Sequence, residues 1–201
     1  MIKFKKAFTL AETLVVIGVI GIVATLVIPN LKDSTDEQVY VAKAKKAYAE
    51  LETAYGRAIL KYQDVPSWKG TIGKKVEQYL DAETTCTATE SNCTGSILKD
   101  GTAMSFYYTA ATDNTTAFYT ITIDVDGSHK GYNSYGTDLF YASIPIGNEL
   151  EASSLRPYYN GYGSTSGSPD ATYNSLNWII KNGNQEYNNC SSVTWANPTC
   201  R

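Results

Sequence analysis

Histidine is nearly absent from this chain. Its 201 residues include a single histidine, His129, which stands beside a predicted turn. A lone histidine at a turn is typical of a solvated side chain, and no acyl-transfer triad can be assembled around it. The sequence also has no G-x-S-x-G elbow and no Gly-rich phosphate-binding loop. We therefore expect a protein that is not an enzyme.

An excess of basic residues is also missing. The chain has 17 Lys and Arg against 20 Asp and Glu, which gives a formal net charge of −3. Proteins that bind nucleic acid usually carry a basic face or stripe. The composition therefore argues against nucleic acid as a main partner.

Charge is scarcest between Phe8 and Pro29, where Glu12 is the one charged residue. A helix of about 20 apolar residues can cross a hydrocarbon core of roughly 30 Å. Lysines immediately before the apolar run favour a cytoplasmic N-terminus, and they are Lys3, Lys5 and Lys6. The sequence predicts a single membrane span. A secretory signal peptide fits poorly, because the run lacks a clear small-x-small cleavage site, and a plain anchor is the ordinary alternative.

A plain membrane anchor does not explain why a charged residue, Glu12, lies within the apolar run. A carboxylate inside a spanning helix costs about 2.5–3.5 kcal/mol on insertion scales. Between Phe8 and Lys32 no other charge is available to compensate it. The compensating charge must come from another chain or from processing, and cleavage after Ala7 would create an α-amine at Phe8, four residues before Glu12.

The segment from Lys5 to Glu12, KKAFTLAE, closely resembles the leader and cleavage motif of type IV pilins and type II secretion pseudopilins. The resemblance implies that a prepilin peptidase cuts after Ala7 and methylates Phe8. It also implies that Glu12 neutralises the N-terminus of a neighbouring subunit in a filament. Pro29 matches the proline that bends the helix in this family. Ala7 departs from the glycine usual before the cut, which implies slower cleavage.

The same resemblance implies an organisation and a location. Residues 1–7 would be the leader, residues 8–29 the transmembrane and filament-core helix, and residues 30–201 an extracytoplasmic head that includes the amphipathic second half of the helix. The protein would lie in the bacterial inner membrane as a single-pass protein with a cytoplasmic N-terminus, its head periplasmic or at the cell surface in a filament. The implied partners are identical or related subunits, the prepilin peptidase and an inner-membrane assembly platform. No cofactor is required.

Hydrophobic spacing predicts the elements beyond Pro29. Residues 30–63 show apolar or small residues at intervals of three and four, as an amphipathic helix requires. Residues 103–109, 117–124 and 139–144 are rich in β-branched and aromatic residues and predict antiparallel strands. We expect an α+β, pilin-like fold. In it a long N-terminal helix, with a transmembrane half and an amphipathic half, packs on a small antiparallel sheet head with disulfide-tied loops.

Metal-type spacing such as C-x-x-C is absent among the four cysteines. Four cysteines allow three disulfide connectivities, and a head outside the cytoplasm would keep them oxidised. We favour Cys86–Cys93 and Cys190–Cys200, because each pair closes a short polar loop. Free thiols are the alternative.

A calcium site is predicted around the Asp-x-Asp-Gly turn that follows residue 123. Hard cations take several oxygen ligands from closely spaced side chains, and the candidates are Asp124, Asp126, Ser128, Asn133 and Asp138. The stretch 124–140 also resembles a strand–loop–strand segment of major pseudopilins, where some members bind calcium. It lacks a full EF-hand loop, and Asp-Gly is a common hairpin signal. A plain hairpin turn is therefore the other interpretation.

Two filament systems fit the resemblance. The stretch 124–140 favours a structural subunit, a pseudopilin, of the type II secretion pseudopilus, which moves proteins out of the cell. The C-terminal cysteine loop favours the alternative, a major or minor pilin of a type IV pilus that serves adhesion, motility or DNA uptake. A third interpretation, from another class, is a membrane-anchored extracytoplasmic binding module that shares only the leader with pilins.

Overall fold

The chain forms two compact units, Met1–Gln38 and Val39–Arg201, in the computed structural model. The structure describes residues 10–68, 71–85, 95–111, 117–127, 134–146, 154–159 and 172–200, without the side chains of residues 24–35 and 84–85. The first element, α1, is a helix of 53 residues, Leu10–Tyr62, whose residues are shared between the two units.

The described residues do not show the transmembrane half of the expected helix. Crossing a hydrocarbon core takes about 20 consecutive, predominantly apolar residues. Within the part of the chain that the structure describes, no helix is both long enough and apolar enough to cross a membrane. The predicted transmembrane half and the predicted single-pass location in the inner membrane are therefore wrong.

A five-stranded antiparallel sheet dominates the second unit. The strands are β1, Ala82–Thr85; β2, Gly95–Leu98; β3, Ala103–Thr109; β4, Phe118–Asp124; and β5, Leu139–Pro145. Each strand pairs with the next along the chain, in the order β1-β2-β3-β4-β5. Strands β3 to β5 match the three strands that the sequence predicts. Strands β1 and β2 were not predicted, because four residues rich in Thr, Ser and Gly carry little of the β-branched and aromatic signal.

The hydrophobic core of the second unit lies between one face of the sheet and α1 residues that follow Gln38. On β4 and β5 the alternate inward positions are fully buried: Tyr119, Ile121 and Ile123 face the core with Phe140, Ala142 and Ile144. From α1 the core takes the alanines at positions 44, 47, 54 and 58, which are at most 1% exposed. Small side chains let a helix backbone approach its neighbours closely, so this alanine stripe sets the helix face that is buried.

The predicted architecture is wrong in a second respect. A long helix lying along its whole length on a small sheet is not shown, because only the part of α1 after Gln38 belongs to the unit that contains the sheet. That sheet has five strands rather than the small sheet expected. The expected loop tied by Cys86 and Cys93 lies outside the described residues.

Two glycine turns meet at one end of the sheet. Gly101, in the turn between β2 and β3, and Gly127, just after β4, have φ angles of 86° and 97°. Only glycine adopts these values at little steric cost. A Cβ atom on Gly127 would lie 2.8 Å from the carbonyl oxygen of Gly101. The backbone after β4 therefore packs directly against the β2–β3 turn, and a side chain at position 127 would clash with that turn.

Shorter helical segments complete the second unit. A 3-10 turn at Val65–Trp68 is followed by α2, Ile72–Glu77, and α3, Ser175–Asn182, is followed by a 3-10 turn at Glu186–Asn188. Gly183 ends α3 in the left-handed conformation, with its N–H donating to the Ile179 carbonyl at 2.9 Å.

Candidate functional site

The described part of the first unit presents an apolar segment on α1 that is exposed on every side. Between Leu10 and Val23 nine large aliphatic side chains are 51–80% exposed. They are Leu10, Leu14, Val15, Val16, Ile17, Val19, Ile20, Ile22 and Val23. At 100° per residue these positions take in the whole circumference of the helix. We refer to this stretch, Leu10 to Val23, as the apolar segment.

Glu12 lies in the first turn of α1 and is exposed within the apolar segment. A carboxylate in the first turn interacts favourably with the positive end of the helix dipole. Ala7 and Phe8, the predicted cleavage and methylation positions, lie outside the described residues. Pro29 is inside α1, whose helical assignment continues through it. The predicted roles of these four residues stay predictions.

A second candidate site is the acidic turn at the end of β4, made of Asp124, Asp126 and Asp138. Asp124 is the last residue of β4, and its Oδ1 accepts a hydrogen bond from the Gly127 N–H at 3.1 Å. The Asp138 carbonyl accepts from the Val125 N–H at 2.9 Å, which fastens the turn before β5 to the end of β4. Asp124 and Asp138 are both buried.

The environment of Asp124 favours its neutral form. Burial raises the pKa of its carboxyl to about 7, with further upward contributions from a hydrogen bond to Asp126 and from the charges of Asp126 and Asp138. The Gly127 N–H opposes this by lowering the pKa. The two neighbouring carboxyl groups therefore add to the effect of burial in disfavouring the charge on Asp124.

The predicted calcium ligands are only partly brought together. Asp124, Asp126 and Asp138 share the acidic turn, whereas Ser128 and Asn133 lie outside the described residues. Over the described ranges no group of three or more His, Cys, Asp or Glu side chains is arranged to hold a metal ion. The described residues therefore do not make a calcium site by themselves, and calcium binding stays a prediction from the sequence.

The residues just before β5 are held by the C-terminal part of the chain. The Gln185 amide, which is 1% exposed, donates to the carbonyls of Gly136 and Thr137 at 3.1 and 2.7 Å. The Tyr187 hydroxyl and the Asn188 amide also donate to the Gly136 carbonyl. The C-terminal region thus fixes the chain that leads into Asp138.

The predicted disulfide between Cys190 and Cys200 is confirmed. It closes the loop beside a small second core formed by Trp178, Val193 and Trp195. Inside this region the indole N–H of Trp178 donates to Asn184, whose amide donates in turn to the Pro198 carbonyl, at 2.8 and 3.2 Å.

Sequence reasoning missed two contributors to the acidic turn. Lys43 of α1 donates from Nζ to the Val125 carbonyl at 2.9 Å, across 82 positions of the chain. Gln185 donates to the carbonyl of Thr137, the residue before Asp138, from 48 positions away. Periodicity places Lys43 on the polar side of its helix but does not identify its partner, and an isolated glutamine after an Asn-Gly turn carries no local signal.

No family model, curated protein or solved structure matches the chain. The pilin-like interpretation therefore depends on the N-terminal motif and on the physical properties of the apolar segment.

Proposed function

We propose that this chain is a structural subunit of a pilin-like helical filament, processed by a prepilin peptidase and assembled into a type II secretion pseudopilus. The observation that carries the proposal is the apolar segment of α1, with aliphatic side chains exposed around its full circumference. The N-terminal motif supports the same assignment.

The apolar segment requires cover from several directions. Burying one large aliphatic side chain contributes about 1.5–3 kcal/mol, so the nine side chains together represent on the order of 10 kcal/mol. A single partner helix would cover only one side of the segment. Equivalent helices from several copies, packed around one another, would cover all sides at once and would form the core of a filament.

Within such a core, Glu12 would favour packing against a neighbouring subunit that presents a positive charge. A charge surrounded by apolar side chains is costly unless an opposite charge pairs with it. After cleavage the α-amine of Phe8 supplies that charge on every subunit. Pairing of Glu12 with the Phe8 amine of an adjacent copy would couple processing to assembly, because the uncut chain lacks that amine.

A type IV pilus is the second candidate. The observed Cys190–Cys200 disulfide favours it, because many type IV pilins close their C-terminal region with such a bond. The stretch 124–140 favours the secretion pseudopilus. In both candidates the filament core would consist of packed apolar segments with Glu12 paired to the Phe8 amine of a neighbouring subunit.

Replacing Glu12 tests the proposed subunit role. We expect Glu12→Ala to accumulate to normal levels and to reduce sheared or pelletable filament by at least about a hundredfold, because removing one partner of a buried ion pair costs about 3–5 kcal/mol. Glu83→Ala, which removes an exposed carboxylate on β1, is the matched control and should leave filament yield unchanged. Normal assembly of the Glu12→Ala subunit would contradict the proposal.

A further inference from the structure

The sheet of the second unit has a second face, on the side away from α1, that carries exposed tyrosines. Successive side chains of a strand point to opposite faces of the sheet. Phe106 and Tyr108 pack against the core, so Tyr107 between them points outward, and it is 49% exposed. On β5, Tyr141 stands between two fully buried neighbours and also points outward. The two outward tyrosines therefore lie on strands that flank β4.

A stack of aromatic rings extends from Tyr141. Tyr135, just before β5, is 43% exposed, and its ring centroid lies 4.8 Å from that of Tyr141 with 23° between the ring planes. The ring of Tyr173 lies 5.9 Å from that of Tyr141 with 17° between the planes. The stacking holds these rings in fixed orientations, so Tyr135 presents a flat, preorganised aromatic surface.

Hydroxyl groups lie beside the tyrosines. Ser105 pairs with Thr122, and Thr122 pairs with Tyr141, so these three outward side chains form one row across β3, β4 and β5. Ser105 and Thr122 are partly exposed. Tyr107 is two residues along β3 from this row, which places the Cα atoms of Tyr107 and Tyr141 about 12 Å apart from standard strand spacing. We call Ser105, Tyr107, Thr122, Tyr135 and Tyr141 the tyrosine face.

Charged and aliphatic side chains are scarce on the strands that carry this face. The sequences of β3, β4 and β5 contain one charged residue, Asp124, which is buried at the end of β4. Tyr107 is the one large hydrophobic side chain of these three strands that is exposed. A charged ligand would find no ion pair here, and a lipid surface or an apolar helix would find no aliphatic side chains to contact.

We propose that the tyrosine face binds an uncharged, β-1,4-linked glycan chain. A sugar ring with equatorial substituents presents C–H groups on its faces and hydroxyl groups at its edges. The C–H faces would stack on the tyrosine rings, which are apolar on their faces and polar at the hydroxyl tip. The sugar hydroxyls would exchange hydrogen bonds with Ser105 and Thr122, whose hydroxyls both donate and accept.

The spacing of the tyrosines favours a chain over a single sugar. One sugar ring does not bridge the separation between Tyr107 and Tyr141, whereas several linked rings do. The β-1,4 linkage keeps successive rings in an extended, flat ribbon, which suits a row of side chains on a sheet. An α-1,4-linked chain coils and would reach fewer of the rings. The inference goes beyond the proposed filament and does not depend on it.

Isothermal titration calorimetry of the full chain tests the proposal, in a detergent that has no sugar headgroup. We expect cellohexaose to bind and glucose to give no measurable heat. Maltohexaose, the α-linked counterpart, should bind about five- to tenfold more weakly, as expected from the loss of one stacked ring. No binding of cellohexaose at millimolar concentration would overturn the proposal, and so would equal binding of maltohexaose.

Replacing single rings tests the role of the tyrosines. Tyr107→Ala and Tyr135→Ala should each raise the Kd for cellohexaose about five- to tenfold, because each removes one stacking surface. Tyr107→Phe and Tyr135→Phe keep the ring and should bind nearly as tightly as the unmodified chain. Leu60→Ala removes a side chain of α1 that is 82% exposed and is the control, with unchanged binding expected. Unchanged binding in both alanine variants would contradict the assigned site.

Chemical protection locates the site in the unmodified chain. Nitration with tetranitromethane, mapped by mass spectrometry, should modify Tyr107 and Tyr135 less in saturating cellohexaose than without it. Tyr62, at the end of α1, is the internal control and should react equally in both samples. Binding of cellohexaose without protection of Tyr107 and Tyr135 would overturn the site. If the alanine variants changed the oligomeric state while the unmodified chain bound no glycan, the face would be an interface between copies instead.

Discussion

The carboxyl group of Asp124 stands at the end of a central strand, where burial and two other carboxyl groups disfavour its charge. Its pKa is raised to about 7, against about 3.9 for an unperturbed aspartate. A group whose pKa is higher in the folded than in the unfolded state stabilises the fold most below its unfolded pKa. That contribution is lost as the pH rises through the folded pKa.

We therefore predict a pH-dependent effect of Asp124→Asn. Between about pH 4 and about pH 7 the wild-type chain should lose stability that the asparagine variant retains, since asparagine does not ionise and its oxygen can still accept from the Gly127 N–H. Urea unfolding in the presence of a chelator should give similar midpoints at pH 4 and a higher midpoint for the variant at pH 8. Glu83→Gln, at an exposed carboxylate on β1, should follow the wild type. If Asp124→Asn and the wild type showed the same pH profile, the assigned environment would be wrong.

Single residues were predictable where the signal was local. The Asp-x-Asp-Gly sequence identified two of the three acids that meet at the acidic turn, and the short polar loop identified Cys190 and Cys200 as a pair. Gln185 and Lys43 were not predictable, because each bonds a backbone carbonyl far away in the sequence. Such contacts follow from packing that no local pattern encodes.

At the scale of elements, the C-terminal disulfide loop supports both a small core and the chain before β5. Trp178, Val193 and Trp195 form that core, and Gln185 extends from the same region to the carbonyls of Gly136 and Thr137. Loss of the loop constraint should therefore loosen the C-terminal region before it affects the rest of the sheet.

We expect the double variant Cys190→Ser and Cys200→Ser to lower the free energy of unfolding by about 2–3 kcal/mol, the value for a loop of this length. Tryptophan fluorescence should respond first, because two of the three tryptophans lie in this region, whereas far-ultraviolet circular dichroism should stay close to that of the wild type under native conditions. Thr199→Ala, an exposed change in the same loop, is the control. No loss of stability in the double variant would show that the loop does not depend on its disulfide.

Elements with strong periodicity were predictable, and short ones were not. Strands β3, β4 and β5 have seven residues each. This length is enough for the period-two pattern of a strand to be recognised in the sequence. The short strands β1 and β2 acquire strand structure from pairing with β3 and with each other. Their sequences alone do not favour it.

At the scale of the whole molecule, the apolar run was the source of the largest error. An apolar run has the same sequence signature whether lipid or protein covers it, since the hydrophobic effect is non-directional. Hydropathy therefore predicted a membrane-spanning helix, a prediction that the described structure does not support. The structure shows a helical segment whose aliphatic side chains are exposed on all sides. We propose that the same helix from other copies of the chain packs around this segment.

We propose that the chain is cut after Ala7 and assembled through its new N-terminus. Mass spectrometry of the N-terminal peptide, from a mechanically sheared filament fraction and from the remaining cell fraction, tests this most directly. We predict a peptide that begins at methylated Phe8 in the assembled material. Recovery of the protein solely as a chain that begins at Met1 would contradict the account.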